Sequence, residues 1–440
     1  KRKKESALIM RKQTKLVAVL STAALLAIGA SMTSFAATGW AEEDGTWVYY
    51  NRDGERATEQ WKKSGNNWYW LDSDGEMAID QLIEDGDNYY YVDINGVMAS
   101  NQWVAIDNED AGQDDEPDHY WYYFQANGKA LTNGDNNKVS LKTINGKKYA
   151  FDDEGRMLYG WVDEDSAERL DNTDSDAFKD GEYYFGGEDD GAMTVGWIQL
   201  DITYDEATNE DYKYIAAAFN DDEDQSRWFY FKSNGKKIQS EESDRTKDKT
   251  INGRKYAFDQ YGAMVAEWSL DVDDLATSTA VASFNSFDES IASSNDVIKG
   301  KAFDSRYTQA WKYFNNVEDG SRVSKGWFKV VSAEYLNEEK YDDDEDAWYY
   351  ADGSGNLYAG EFKTIKGKKY AFRDDGRMIN GLKFIKDDGN GHLDVKADDD
   401  GNAPFDNEDD FLAYARSFYE PNGYKCYYFG DGDEGEIGRA

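Results

Sequence analysis

TINGKKYAFDDEGRM, Thr143 to Met157, returns as TINGRKYAFDQYGAM from Thr250 to Met264 and as TIKGKKYAFRDDGRM from Thr364 to Met378. Each copy spells strand, turn, strand, turn. Asn-Gly or Lys-Gly makes the first tight corner, where glycine takes positive φ without a Cβ clash. Tyr-Ala-Phe is a short β run, and an acidic turn ending at Gly155, Gly262 or Gly376 makes the second corner. A hairpin of this length is marginal in water by itself. It must stack on neighbours.

The rest of the chain supplies those neighbours. Among 440 residues, 15% are aromatic, with 32 tyrosines and only three prolines. Aromatic and glycine enrichment without long apolar runs predicts many short strands joined by turns. The net charge of -40 excludes nucleic acid as a natural partner, because phosphate is repelled. Cys426 is the single cysteine, so no intrachain disulfide forms and stability rests on stacking.

Residues 1–36 read as a nine-residue extension (an upstream start or a fragment) followed by a secretory signal peptide. Met10 precedes Arg11, Lys12 and Lys15, an apolar run from Leu16 to about Ala30, and a small-residue cleavage motif at Ser34-Phe35-Ala36. The apolar part is short for a membrane span, and no second one follows. A secreted product without membrane insertion is expected.

From Gly39 onward, modules begin at once. GWAEEDGTWVYYNRDGERAT, QWKKSGNNWYWLDSDGEMAI and QLIEDGDNYYYVDINGVMAS start at Gly39, Gln60 and Gln81, a period close to 21 residues. That period is the signature of a repeat array. A fourth module opens at Gln102-Trp103, takes an acidic insertion and closes with WYYFQANGKA. Residues 37–131 are thus regular, whereas 132–440 alternate acid-interrupted modules, built round Trp161, Trp197, Trp268 and Trp327, with the KKYAF type. The KKYAF copies lie 107 and 114 residues apart, counted from Ile144, Ile251 and Ile365, which suggests a duplicated larger block. Ser269–Arg306 is expected as a short helix or acidic loop, and Asp406–Phe418 as another helix. The chain ends within a further hairpin motif, YYFGDGDEGEIG, the form of a truncated array or an atypical cap. The fold expected is all-β: an elongated solenoid of stacked hairpins of about 20 residues with acidic or short helical insertions.

The methionines secure the register. Met77, Met98, Met157, Met193, Met264 and Met378 each lie two residues after a turn glycine. Because strand side chains alternate, counting back from that glycine separates two faces. Positions -6 and -4 are apolar in nearly every module: Tyr69 and Leu71, Tyr122 and Phe124, Tyr149 and Phe151. They are assigned to the core. Positions -7 and -5 hold ring pairs such as Trp47 and Tyr49, Trp68 and Trp70, Tyr89 and Tyr91, or Trp121 and Tyr123. In the KKYAF modules the same positions are Lys148 and Ala150, Lys255 and Ala257, Lys369 and Ala371. A face that switches between ring pair and Lys/Ala reads as ligand half-sites separated by spacers.

With GW, WYYF, the turn glycine and the trailing Met in hand, the chain resembles the cell wall-binding repeat superfamily of choline-binding, glucan-binding and clostridial toxin-type repeats. The resemblance is strongest from Gly39 to Ser100. It implies hairpins stacked into a solenoid, with ligands in aromatic cages between successive hairpins. Carried over, one cage uses Trp40, Trp47 and Trp61. A second uses Trp61, Trp68, Trp70, Met77 and either Tyr89 or Tyr91, and Tyr49, Trp103, Trp121 and Tyr123 extend the candidate set. Leu82 replaces the entering Trp in the third module, and the KKYAF copies lie nearer the glucan-binding and toxin types. The implied partner is a cell-wall or surface polysaccharide, either choline-substituted teichoic acid or a glucan. The implied location is the surface or wall of a Gram-positive-type bacterium.

Rings facing one gap can hold a quaternary ammonium, at about 0.5–2 kcal/mol per ring. They can equally stack on sugar faces. Either gives weak sites that act together on a polymer. The plainer alternative is that each ring only packs hairpin on hairpin. The acidic runs at Asp342–Asp346 and Asp398–Asp400 lack EF-hand spacing and read as solvated loops. His119 and His392 share no local motif, so neither a metal site nor a catalytic triad assembles, and no cofactor is expected. The reading is a non-catalytic binding protein. An anchoring arm of a larger enzyme and an adhesive structural protein are the alternatives.

Overall fold

The computed structural model describes residues 38–134, 137–171, 177–202, 225–241, 246–270, 305–333, 336–396 and 419–430, with single positions at 409, 412, 413, 417, 433, 435 and 437. The expected leader lies outside the described residues, as do most of the Ser269–Arg306 insertion and of Asp406–Phe418. The described chain is nearly all β. It holds twelve small antiparallel sheets, eleven of two strands and a last one of three. The residues up to Val195, with Ser233–Lys236, form one compact unit; Gly196–Lys232 and the residues from Lys237 onward form a second.

The repeating unit is plain in the module ending at Gly75. Strand Gln60–Ser64 pairs with Asn67–Leu71, setting Trp61 opposite Trp70 and Lys62 opposite Tyr69. Asp72 then builds the second turn, its Oδ1 accepting from the N–H groups of Asp74 and Glu76, both at 2.9 Å. Past the glycine the chain folds back, so that Met77 bridges Leu71 and the Ala78 N–H donates to the Trp70 carbonyl at 2.9 Å.

Stacking between modules runs through the methionines. Met77 N–H donates not within its own hairpin but to the Trp47 carbonyl of the preceding one, at 2.7 Å. Met98 does the same to Trp68, Met157 to Trp121, Met193 to Lys148, Met264 to Trp228 and Met378 to Trp348, at 2.7–2.9 Å. Each of the six therefore donates to position -7 of the module before. Its side chain reaches the other way, onto the turn glycine of the module after. A Cβ on Gly128 would lie 2.4 Å from the Met98 sulfur, and one on Gly435 would lie 2.1 Å from that of Met378. The methionine phase is thus a packing rule: a long flexible side chain laid on a bare glycine.

The -4 residues Leu71, Val92, Phe124, Phe151, Phe231, Phe258 and Phe372 are wholly buried, as the face reading requires. Position -5 departs from simple alternation. Ala150, Ala257 and Ala371 are also wholly buried. Their carbonyls accept the N–H of Leu158, Val265 and Ile379 at 2.9 Å, and the next hairpin covers them with Phe185, Phe314 or Phe429. The KKYAF hairpins are tightly covered on the face where others carry rings.

Candidate functional site

Where a module is entered by a tryptophan, that residue sits second in the first strand. Trp40 meets Tyr49 of its own hairpin at 5.4 Å between ring centres and Tyr69 of the next at 5.3 Å, both edge-on. Trp61 meets Trp70 at 5.2 Å and Tyr90 at 5.0 Å, both tilted, and Trp103 returns to the edge-on pattern with Tyr123 at 5.2 Å and Tyr149 at 4.9 Å. Trp197 and Trp327 continue the series against Tyr256 and Tyr370. These indoles are interlocking side chains, each resting on the -6 ring of the following hairpin. The -6 tyrosines were legible as core, but not as the partners of the entering tryptophan.

The candidate cages are brought together in part. Trp61 and Trp70 touch, and Trp70 is buried to 9% exposure among Ala78, Ile83 and Val92. Met77 lies on the Gly96 turn. Among the described residues no ring contact joins Trp40 to Trp47, or Trp47 to Trp61. Tyr91 stacks on Phe124 at 6.1 Å, where Leu82 leaves no indole to meet it. Its hydroxyl donates to Asp80, and burial with that carboxylate pushes its pKa up. Tyr89 is also raised, by burial first and then by Glu84, Glu154 and Asp153.

Water reaches the -7 rings. Trp68 is 41% exposed and Trp47 is partly exposed, although their strand neighbours Tyr69 and Val48 are buried. Two of the open rings already hold cations. The Lys62 ammonium stands 4.7 Å from the centre of the Tyr49 ring, and that of Lys63 stands 5.7 Å from Trp68. The sites are electron-rich, half-wet and repeated.

A second constellation was missed from the sequence. Trp121 Nε1 donates to Asp189 at 3.1 Å, Trp228 to Glu318 at 3.1 Å and Trp348 to Asp433 at 3.0 Å. In every case the acid belongs to the module after next, across an intervening KKYAF hairpin. It stands two residues before a turn glycine (Gly191, Gly320, Gly435), and on that glycine lies Met157, Met264 or Met378 of the KKYAF hairpin. Trp121, Tyr123 and Met157 share one apolar cluster, as do Trp228, Tyr230 and Met264. The signal was present: FGGEDDG, FNNVEDG and FGDGDEG carry two extra residues and a paired acid before the glycine, once after each KKYAF copy.

Comparison with known proteins agrees with the module reading. Residues 37–81 and 57–103 match the choline-binding repeat model, and 223–237 match a cell wall-binding repeat model. No curated protein sequence matches the chain. Among solved structures, the choline-binding domain of Spr1274 from Streptococcus pneumoniae is 32% identical over 22% of this chain and 95% of that one, with a TM-score of 0.16. Choline-binding protein F of Streptococcus pneumoniae is 16% identical over 92% of this chain and 100% of its own, with a TM-score of 0.35. The modular autolysin LytC from Streptococcus pneumoniae is 18% identical over 79% of this chain, with a TM-score of 0.37, and the match spans 54% of its length.

Proposed function

Because the chain belongs to the cell wall-binding repeat family, we propose that it is an exported protein held non-covalently on the Gram-positive cell surface, its water-exposed rings, such as Trp47, Tyr49 and Trp68, gripping choline-substituted wall polymer. The observation that carries this is the pair of ammonium groups, Lys62 and Lys63, standing over Tyr49 and Trp68. Rings that draw the protein's own cations are electrostatically suited to a quaternary ammonium. Each contact is weak, so retention rests on many modules engaging one polymer. The described modules contribute binding and no chemistry of their own.

The test is adsorption of the full chain to purified choline-bearing wall, with free choline as competitor and an α-glucan support in parallel. Retention released by choline is expected. Retention on glucan that choline leaves untouched would assign the rings to sugar stacking instead, and retention on neither support would overturn the proposal.

A further inference from the structure

The ring sites fall into two classes, divided by the turn two modules on, which is either regular or lengthened by two residues with an acid before its glycine. In the regular array, the position two before the turn glycine of the module after next is Ile94 for the Trp47 site and Ala126 for the Trp68 site. Farther on it is Asp189, Glu318 or Asp433, hydrogen-bonded to the indole. An Nε1–H bond lies in the ring plane, so it fixes the indole by its edge and does not itself cover the π face; the His119 ring stands edge-on to Trp121 at 5.5 Å and the Trp197 ring to Trp228 at 6.3 Å. A charged acceptor strengthens the bond and enriches the ring in electrons. The carboxylate also stands within ionic reach of a positive group on that face, and a neutral sugar gains nothing from it.

Resting on the proposed binding role, we propose that this residue sets the charge preference of each ring site. Asp189 and Glu318 make the Trp121 and Trp228 sites selective for cationic groups, whereas Ile94 and Ala126 add no negative charge, and at Trp68 the Lys63 ammonium already stands 5.7 Å from the ring. The neighbours rank the sites. Glu318 is shared with the uncharged Gln199 at 3.3 Å, Asp189 with His119 at 3.1 Å, and Asp433 is paired with Lys329 at 2.9 Å. The adjoining acids are occupied, Asp190 by Lys147 at 3.3 Å and Asp319 by Arg254 at 3.1 Å. Selectivity therefore falls in the order Trp228, Trp121, Trp348.

The experiment titrates the full chain with choline and with dimethylbutanol, its uncharged carbon isostere, following the indole N–H resonances of Trp228, Trp121 and Trp68. Glu318→Gln is expected to lower the choline-to-isostere affinity ratio at Trp228 by about two- to fivefold, the scale of an exposed ion pair, with isostere affinity unchanged. Grafting the lengthened turn of residues 186–191 in place of residues 125–128 is expected to raise the ratio at Trp68, a gain that misfolding cannot mimic. An unmoved ratio in both variants, equal loss of both probes in Glu318→Gln, or no charge preference at Trp228 in the wild type overturns the rule. Those results with intact choline-released wall retention remove the charge rule alone. Absence of retention removes the binding role with it.

Discussion

Gly128 holds a φ of 83°, and any Cβ there would run into the Met98 sulfur. Gly128→Ala therefore suffers twice, from left-handed backbone and from overpacking, and is expected to cost about 1–3 kcal/mol in urea unfolding. Combined with Met98→Ala the loss falls short of the sum of the two single losses, since the clash is then relieved. Asp259 shows a different strain. It opens the second turn of the middle KKYAF module, wholly buried, with Oδ1 accepting from Tyr261 and Ala263 and Oδ2 without a partner. Burial pushes its pKa up to about 7. A raised carboxyl pKa favours the protonated form in the fold, so its contribution is full below about pH 4 and is lost as pH rises toward 7. Asp259→Asn should flatten that part of the profile relative to wild type and hold or raise stability above pH 7. A steeper profile in the variant would refute the assignment.

The hairpin is held less by its two strands than by what its methionine joins. Met264 donates its N–H to Trp228 behind and lays its side chain on Gly320 ahead. Met264→Ala keeps the hydrogen bond and empties a buried site, for an expected loss of about 2–5 kcal/mol. Met264→Leu should cost under about 1.5 kcal/mol, measured by the same unfolding curves. At this scale the sequence was legible where a period is local. Phe124 and Phe151 follow from alternation, and the methionine register from counting to a glycine. The reason for that register was not legible, since it lies in the next module. The burial of Ala150 is not legible for a related cause: what covers it comes after the turn and from the following hairpin. The Trp121–Asp189 pair spans two modules and 68 residues. No alternation rule reaches that far, although the lengthened paired-acid turns were countable.

For the molecule as a whole, energy is shared between neighbouring modules, as in other repeat arrays. Each hairpin gives its core face to the stack and keeps a ring or a lysine at position -7 toward water. A chain with net charge -40 and no disulfide keeps its hairpins together through these interlocked rings, methionines and glycines. The same arrangement leaves Trp47 and Trp68 partly open at position -7 while their strand neighbours Val48 and Tyr69 are buried, so the proposed binding and the stacking draw on different side chains of one strand. That separation is the central claim. It is tested most directly by the retention of the full-length Trp47→Ala/Trp68→Ala variant on choline-bearing wall, with its far-ultraviolet dichroism and melting curve recorded alongside. We predict a fall in retention of roughly tenfold or more with the β spectrum and melting unchanged; undiminished retention, or collapse of the fold with the loss of the two rings, would contradict the account.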